Sequence, residues 1–101
     1  MLARAFAVCE AIICVGSDLE QSQRSIELAT SNDNIFAAIG IHPHSDSNPK
    51  LLNQLVKEPK VVAIGECGLD FKPFQDRPID KKRQIESFHY QLKLANEYNL
   101  P

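Results

Sequence analysis

Three short apolar runs, none of them interrupted by a polar residue, constrain the fold of this chain more than any other feature. They begin at Ala11 (AIICV), Ile35 (IFAAIGI) and Val61 (VVAIG). A strand with one face in water alternates polar and apolar residues, whereas a strand of a helix-covered parallel sheet is apolar throughout. The runs therefore predict three parallel strands, each buried on both faces.

The segments that follow the first two runs carry helical signals. In the first segment Ser17 and Glu20 have the spacing of a capping box. In the second, Asn48 suits the N-cap, Pro49 suits the first helical position, and Pro59 is expected to end the helix. Each segment has an apolar stripe at helical spacing: Leu19, Ile26 and Ala29 in the first, and Leu51, Leu52, Leu55 and Val56 in the second.

A longer helical pattern follows the third run. Pro78 fits an early helical position, and Asp80 would complement the positive end of the helix dipole. The predicted buried stripe is Ile85, Phe88, Leu92 and Ala95, and a further helix is expected at the amino end from Leu2, Ala5, Phe6 and Cys9. The predicted order is therefore a helix followed by three strand–helix units, with strand starts far enough apart for crossover helices.

Composition excludes several classes of protein. The chain has 101 residues, of which 44% are hydrophobic and 24% charged, as in a single globular domain. No apolar run approaches the ~18 residues of a membrane span, and no targeting pattern is evident, so we expect a cytoplasmic protein without a membrane partner. A net charge of −2 gives no global attraction for nucleic acid. Three cysteines without C-x-x-C spacing predict free thiols.

The polar residues of chemical interest all follow a predicted strand. Gly16 and Ser17 come after the first, HPHSD after the second and ECGLD after the third. Because the carboxyl ends of parallel strands meet at one edge of the sheet, where such proteins place their sites, we expect these residues to lie together.

Four of these residues are candidates for chemistry, and each has a plain structural alternative. Glu66 could ligate a hard divalent cation, act as a general base or cap a loop. His42 and His44 have an H-x-H spacing typical of metal ligands, but they could equally be loop histidines. If Gly68 permits a tight turn, Asp70 could fold back to support the site, or it could bond only loop amides.

Three segments, IGIHPH, VVAIGECGLDF and QLKLANEYNLP, resemble those of TatD-type metal-dependent hydrolases, a deoxyribonuclease-like group of TIM barrels. The most specific matches are GIHPH at residues 40–44 and GECGLD at residues 65–70. The resemblance implies an α/β fold that is a fragment of a (β/α)8 barrel, roughly strands 2 to 4, in one partial domain over residues 1–101. It also implies hydrolysis of phosphodiester bonds in DNA with a divalent metal, Mg²⁺ first and Mn²⁺ or Zn²⁺ as alternatives.

The same resemblance implies roles for the four candidates. Glu66 matches a metal ligand, and His42 matches a histidine near the metal and the substrate phosphate, which gives it a catalytic role. His44 and Asp70 inherit a supporting role close to substrate. The family's own metal-binding H-x-H belongs to an earlier strand, so that role is not carried to the HPH segment.

The match is incomplete. A (β/α)8 barrel takes ~250 residues, and Glu66 alone corresponds to a ligand of the family's metal site. We therefore expect an incomplete piece that is inactive by itself, with open sheet edges that favour self-association or a complementing fragment.

Two other functions remain open at the level of sequence. The first is a non-catalytic α/β module that binds a phosphate or a partner at its strand ends. The second is a barrel hydrolase of another ester, such as aminoacyl-tRNA. No residue of the chain selects the nucleic acid or the bond.

Overall fold

The computed structural model describes residues 10–73 and 75–101. Within them, β1 (Ile12–Val15), β2 (Ile35–Ile39) and β3 (Val61–Ile64) form one parallel sheet in the order β1-β2-β3. Helix α1 (Leu19–Thr30) follows β1, a 3₁₀ helix (Pro49–Gln54) follows β2, and α2 (Lys81–Glu97) follows β3. The predicted alternation of three parallel strands with helices is confirmed. The helix predicted on Leu2, Ala5, Phe6 and Cys9 lies outside the described residues.

The core is centred on β2, the middle strand. Ile35, Ala37 and Ile39 are completely buried, as the uninterrupted apolar run predicted. The remaining buried apolar side chains of this core come from β3, from the helices and from the segments that follow β2 and the 3₁₀ helix: Ile26, Ala29, Ile41, Leu52, Val56, Val61 and Leu94.

The prediction that both faces of every strand are buried is wrong for β1. Its residues alternate between partly buried and exposed, and Ile13 and Val15 are 55% and 54% exposed. β1 is an edge strand, and helix α1 covers only one of its faces in the described part of the chain. Among the residues that the structure describes, none covers the second, apolar face of this strand.

Helix α1 begins one residue later than the capping-box pattern predicted. Its N-cap is Asp18, whose carboxylate accepts the N–H of Gln21 at 2.8 Å. Ser17 lies before the cap, because its carbonyl accepts the N–H of His42 at 2.7 Å and ties it to the end of β2. Glu20 does not close a capping box but pairs with Arg24 on the exposed face at 2.9 Å. Ile26 and Ala29 are buried as predicted.

The second helical segment begins where predicted but is shorter and tighter. The side chain of Asn48 accepts the N–H of Lys50, and Pro49 starts the turn. The segment is a 3₁₀ helix that ends at Gln54, well before Pro59. Short connectors commonly take this form, and here it is sufficient to bury Leu52.

Helix α2 presents a different face to the core from the one predicted. Asp80 is its N-cap and accepts the N–H of Arg83 at 3.0 Å, so Pro78 lies before the helix and not within it. Ile85 and Leu92 of the predicted stripe are each 52% exposed. The buried residues are instead Gln84, Gln91 and Leu94, because the face that carries them packs on β3 and the 3₁₀ helix.

None of the helices in the described ranges combines the length and the hydropathy that a membrane-spanning segment would need.

Candidate functional site

Backbone hydrogen bonds join the carboxyl ends of all three strands. The N–H of Gly65 donates to the Ile39 carbonyl at 2.7 Å, and the N–H of Glu66 donates to the Gly16 carbonyl at 3.2 Å. The Ser17 carbonyl accepts the N–H of His42 at 2.7 Å. The three polar segments therefore lie at one edge of the sheet, as predicted.

Gly40 allows this close approach. A Cβ at this position would lie 2.6 Å from the carbonyl carbon of Gly65 and 2.7 Å from the carbonyl oxygen of Glu66. Its peptide is held from the other side by Ser22, whose hydroxyl lies 3.2 Å from the Gly40 N–H and 3.3 Å from its carbonyl oxygen. Only glycine fits where the ends of β2 and β3 meet the start of α1.

A groove of about 440 Å³ opens at this edge, and we call it the strand-end groove. Two predicted site histidines and the predicted metal-binding carboxylate line it together. Its lining residues are Ser17, Asp18, His42, His44, Ser45, Asp46, Glu66 and Arg77. Arg77, which was not singled out from the sequence, adds a permanent positive charge to a groove that also holds three carboxylates.

His44 and Asp70 meet across the two loops that follow β2 and β3. Their side chains approach to 2.9 Å between Nε2 and Oδ2, with His44 mostly buried and Asp70 partly exposed. A carboxylate only accepts hydrogen bonds, so His44 carries a proton on Nε2. Gly68, at φ +148°, makes the intervening turn in a conformation that favours glycine. The fold-back predicted for Asp70 is therefore present.

The pKa of Asp70 lies below its ordinary value. The main cause is the hydrogen bond that its carboxylate accepts from the Lys72 N–H, at 3.1 Å to Oδ1, followed by the hydrogen bond from His44. Both interactions favour the charged form. Asp70 is thus held as a carboxylate that can orient the His44 ring.

His42 is oriented by its neighbour in the HPH segment. The backbone N–H of His44 donates to Nδ1 of His42 at 3.1 Å, and the two rings lie 5.4 Å apart between centroids. Because Nδ1 accepts, the proton of the neutral ring is on Nε2. His42 is therefore set up as a hydrogen-bond donor through Nε2, and it is one of the residues that line the strand-end groove.

Glu66 is exposed in the same groove. Its carboxylate is the type of oxygen ligand that Mg²⁺ and Mn²⁺ prefer. Over residues 10–73 and 75–101, however, no group of three or more His, Cys, Asp or Glu side chains is placed to hold a metal ion. The described residues by themselves thus do not make a complete metal site.

Three residues of α2 contact the site loops and were missed in the sequence. The side chain of Gln84 pairs with the backbone of Asp70. The side chain of Gln91 pairs with the backbone of Ile41. The guanidinium of Arg83 donates to the carbonyl oxygens of Ser45 and Pro43. The signal available was the spacing of two glutamines seven residues apart on one helix face. It was overlooked because the apolar stripe beside it was expected to face the core.

Cys67 lies between Glu66 and Gly68 and is half-buried. Burial raises the pKa of its thiol, because the thiolate would be poorly solvated. Cys14 and Cys67 are both free thiols, as predicted, and Cys9 lies outside the described residues. A raised pKa disfavours the thiolate, which is the reactive form of cysteine, so the position of Cys67 suits packing.

Comparison with known proteins gives concordant results. The family model described as TatD related DNase matches residues 2–101. The chain is 36% identical over 107 aligned positions to the 3'-5' ssDNA/RNA exonuclease TatD of Shigella flexneri, covering 100% of this chain and 40% of that protein. It is 34% identical over 95 positions to the protein of the same name from Escherichia coli K12, covering 89% of this chain and 35% of that protein. The chain thus spans about 40% of the length of the first of these relatives.

A solved structure shares the fold. The crystal structure of YJJV, a TatD homologue from Escherichia coli K12, superimposes with a TM-score of 0.78 and 38% sequence identity, covering 96% of this chain and 39% of that one. The predicted fold class, a fragment with three parallel strands alternating with helices, is confirmed by this likeness.

Proposed function

The chain belongs to the TatD related DNase family, and we propose that it is part of a metal-dependent hydrolase that cleaves phosphodiester bonds of DNA. The observation that supports this function best is the convergence of His42, Glu66 and Arg77 in the strand-end groove. An imidazole N–H and a guanidinium suit phosphate oxygens, and a carboxylate suits a divalent cation.

Each residue has a distinct proposed role. His42, with its proton on Nε2, donates a hydrogen bond to a phosphate oxygen of the substrate. The His44–Asp70 pair supports that contact by holding the loop that carries His42. Glu66 supplies one ligand to a divalent metal, Mg²⁺ in the first instance, with Mn²⁺ or Zn²⁺ as alternatives. The remaining ligands come from outside the described residues.

The substrate we propose is single-stranded DNA. The relatives from Shigella flexneri and Escherichia coli are both named as exonucleases acting on single-stranded DNA and RNA from the 3' end. The free thiols of Cys14 and Cys67 favour a reducing compartment, so we place the protein in the cytoplasm.

We further propose that residues 1–101 form one partial barrel domain and do not hydrolyse DNA by themselves. In the part of the chain that the structure describes, Glu66 has no set of partners able to hold a metal. A lone carboxylate in water binds Mg²⁺ weakly.

Assay of the purified chain with end-labelled single-stranded DNA and Mg²⁺ or Mn²⁺ tests the inactivity. We expect no cleavage above that of a Glu66→Ala variant. Robust cleavage that Glu66→Ala abolishes would contradict the proposal that the chain is inactive alone.

A chimera tests the roles. The segment of the Shigella flexneri exonuclease that aligns with this chain is replaced by the 101 residues, and release of 3' nucleotides is measured with Mg²⁺. We expect an active chimera in which Glu66→Ala or His42→Ala lowers kcat/KM by about 100-fold, while Glu58→Ala, an exposed glutamate before β3, leaves it unchanged.

Two results would overturn the assignment. One is a folded chimera whose DNA cleavage is unaffected by Glu66→Ala. The other is a chimera that leaves DNA and RNA intact but hydrolyses aminoacyl-tRNA, which would favour a different ester as substrate.

A further inference from the structure

Helix α2 carries two glutamines that are almost completely removed from solvent. Gln84 is 1% exposed and Gln91 is not exposed at all. They lie seven residues apart, about two helical turns, and so project from the same face. Burying an amide is unfavourable unless its donors and acceptor are paired. Their partners therefore indicate why two polar side chains occupy this face.

Gln91 pairs with both backbone groups of Ile41. Its Oε1 accepts the Ile41 N–H at 2.8 Å, and its Nε2 donates to the Ile41 carbonyl at 3.2 Å. The second N–H of the amide is turned toward Ser87, with the carbonyl and hydroxyl oxygens 3.2 and 3.1 Å away. The amide thus takes the place of a neighbouring strand for the residue that immediately precedes His42.

Gln84 makes the same two-point contact with Asp70. Its Oε1 accepts the Asp70 N–H at 2.8 Å, and its Nε2 donates to the Asp70 carbonyl at 2.9 Å. Asp70 in turn holds the ring of His44, and the N–H of His44 bonds Nδ1 of His42. The two glutamines therefore act on the two ends of one chain of contacts that includes His42.

We propose that Gln84 and Gln91 are positioning residues, which hold the loops after β3 and β2 on one rigid helix so that Nε2 of His42 points at the substrate phosphate. The pairing of both backbone groups distinguishes these amides from side chains that merely fill space. The inference rests on the proposed function for the identity of the ligand, a phosphate, but not for the contacts themselves.

Local hydrogen exchange of the 101-residue chain, followed by mass spectrometry, tests the contacts. Gln84→Met and Gln91→Met keep the length of the side chain and remove its hydrogen bonds. We expect Gln84→Met to speed exchange of the peptide around Asp70, and Gln91→Met that of the peptide around Ile41, each about tenfold. Each variant leaves the other loop largely protected, and Gln23→Met, at an exposed position of α1, changes neither.

NMR signals of the histidine rings test whether the glutamines position His42, independently of any change in stability. The chain has three histidines, and NMR of the ¹⁵N-histidine-labelled protein reports the tautomer of each ring. We expect wild-type His42 as the Nε2–H tautomer, and altered ring signals of His42 in both glutamine variants. His89, exposed on α2, should not change.

A conservative variant provides a rescue. The side chain introduced by Gln84→Glu can accept the Asp70 N–H at any pH, but it can donate to the Asp70 carbonyl only when protonated. Relative to wild type at the same pH, we expect the loop around Asp70 to lose protection at neutral pH and to regain it as the pH is lowered, since burial raises the pKa of a carboxyl group.

Uniformly faster exchange in all peptides of both Met variants, without rescue of Gln84→Glu at low pH, would show a purely structural role and overturn the proposal. Unchanged exchange around Ile41 and Asp70 would overturn it as well. These outcomes are separate from failure of the proposed function, because an inactive chimera leaves the exchange and tautomer results unaffected.

Discussion

The role of Asp70 in the site follows from the contacts that it makes in the folded chain. Its carboxylate accepts from the Lys72 N–H and lies 2.9 Å from the His44 ring, and its backbone is paired by Gln84. The sequence left open whether Asp70 folds back to support the site or bonds only loop amides, and the structure shows both kinds of contact. Lys72 lies in the same loop, His44 in the loop after β2 and Gln84 on α2. Its ionisation is therefore linked to the contact between the loops that follow β2 and β3.

The stability of the fold, measured as the pH is lowered into the acid range, should depend on the ionisation of Asp70. The folded-state pKa of Asp70 lies below its ordinary value of 3.8, so its contribution to stability is complete above that value and is lost as the pH falls through the lower folded-state pKa. We expect the urea midpoint of the Asp70→Asn variant to fall less between about pH 5 and pH 2 than that of wild type. Asp33→Asn, at an exposed turn, should keep the wild-type slope.

Gly40 supports a second prediction at the same scale. Because a Cβ would meet the backbone of Gly65 and Glu66 below 3 Å, Gly40→Ala should destabilise the fold by about 1–3 kcal/mol. Gly65→Ala is the matched control, since a Cβ there meets no atom within 4 Å and should change stability by about 0.5 kcal/mol or less. Equal unfolding midpoints for the two variants in urea would contradict the close approach.

At the level of elements, the structure shows which of two possible N-cap residues begins α1, a choice that the sequence does not make. Asp18 and Ser17 are both good N-cap types, but the Ser17 carbonyl is engaged by His42. Asp18→Ala should therefore cost about 1 kcal/mol in the free energy of unfolding, and Ser17→Ala clearly less. Thermal or urea unfolding followed by circular dichroism measures both losses of stability. A larger loss for Ser17→Ala would show that Ser17 is the N-cap, as the capping-box pattern predicted.

Helix α2 shows why an apolar stripe can mislead. Ile85 and Leu92 form a regular stripe but are half exposed, whereas Gln84 and Gln91 are buried. The face of a helix that is buried depends on what packs against it, and here that face must also satisfy the backbone of two loops. A buried amide that pairs with a peptide does this, and an isoleucine cannot.

At the scale of the whole molecule, several large apolar side chains are exposed among the described residues, including one pair on the sheet and one pair on α2. On the sheet these are Ile13 and Val15 of the edge strand β1, and on α2 they are Ile85 and Leu92. Exposed strand edges and apolar patches favour pairing with another chain. The proposed partial barrel would present such surfaces.

We therefore expect self-association that depends on concentration, measured by sedimentation velocity. The double variant Ile13→Thr/Val15→Thr keeps β-branched side chains but makes the open face polar, and it should shift the distribution toward monomer. Leu28→Gln, which alters an exposed leucine of α1, serves as the control. A monomeric wild-type chain at all concentrations would contradict this expectation.

From the sequence we could predict the three strands and their parallel direction, the edge at which polar residues collect, and the segments GIHPH and GECGLD that resemble the family. These features are local, because apolar runs, turn residues and motifs are properties of adjacent positions. Three features became clear only from the fold: the residue that caps α1, the face of α2 that is buried, and the contacts by which Gln84, Gln91 and Arg83 hold the site loops. Each of these depends on contacts between segments far apart in the chain. Hydrogen bonds to buried backbone groups follow from three-dimensional proximity, which the order of residues in one segment does not encode.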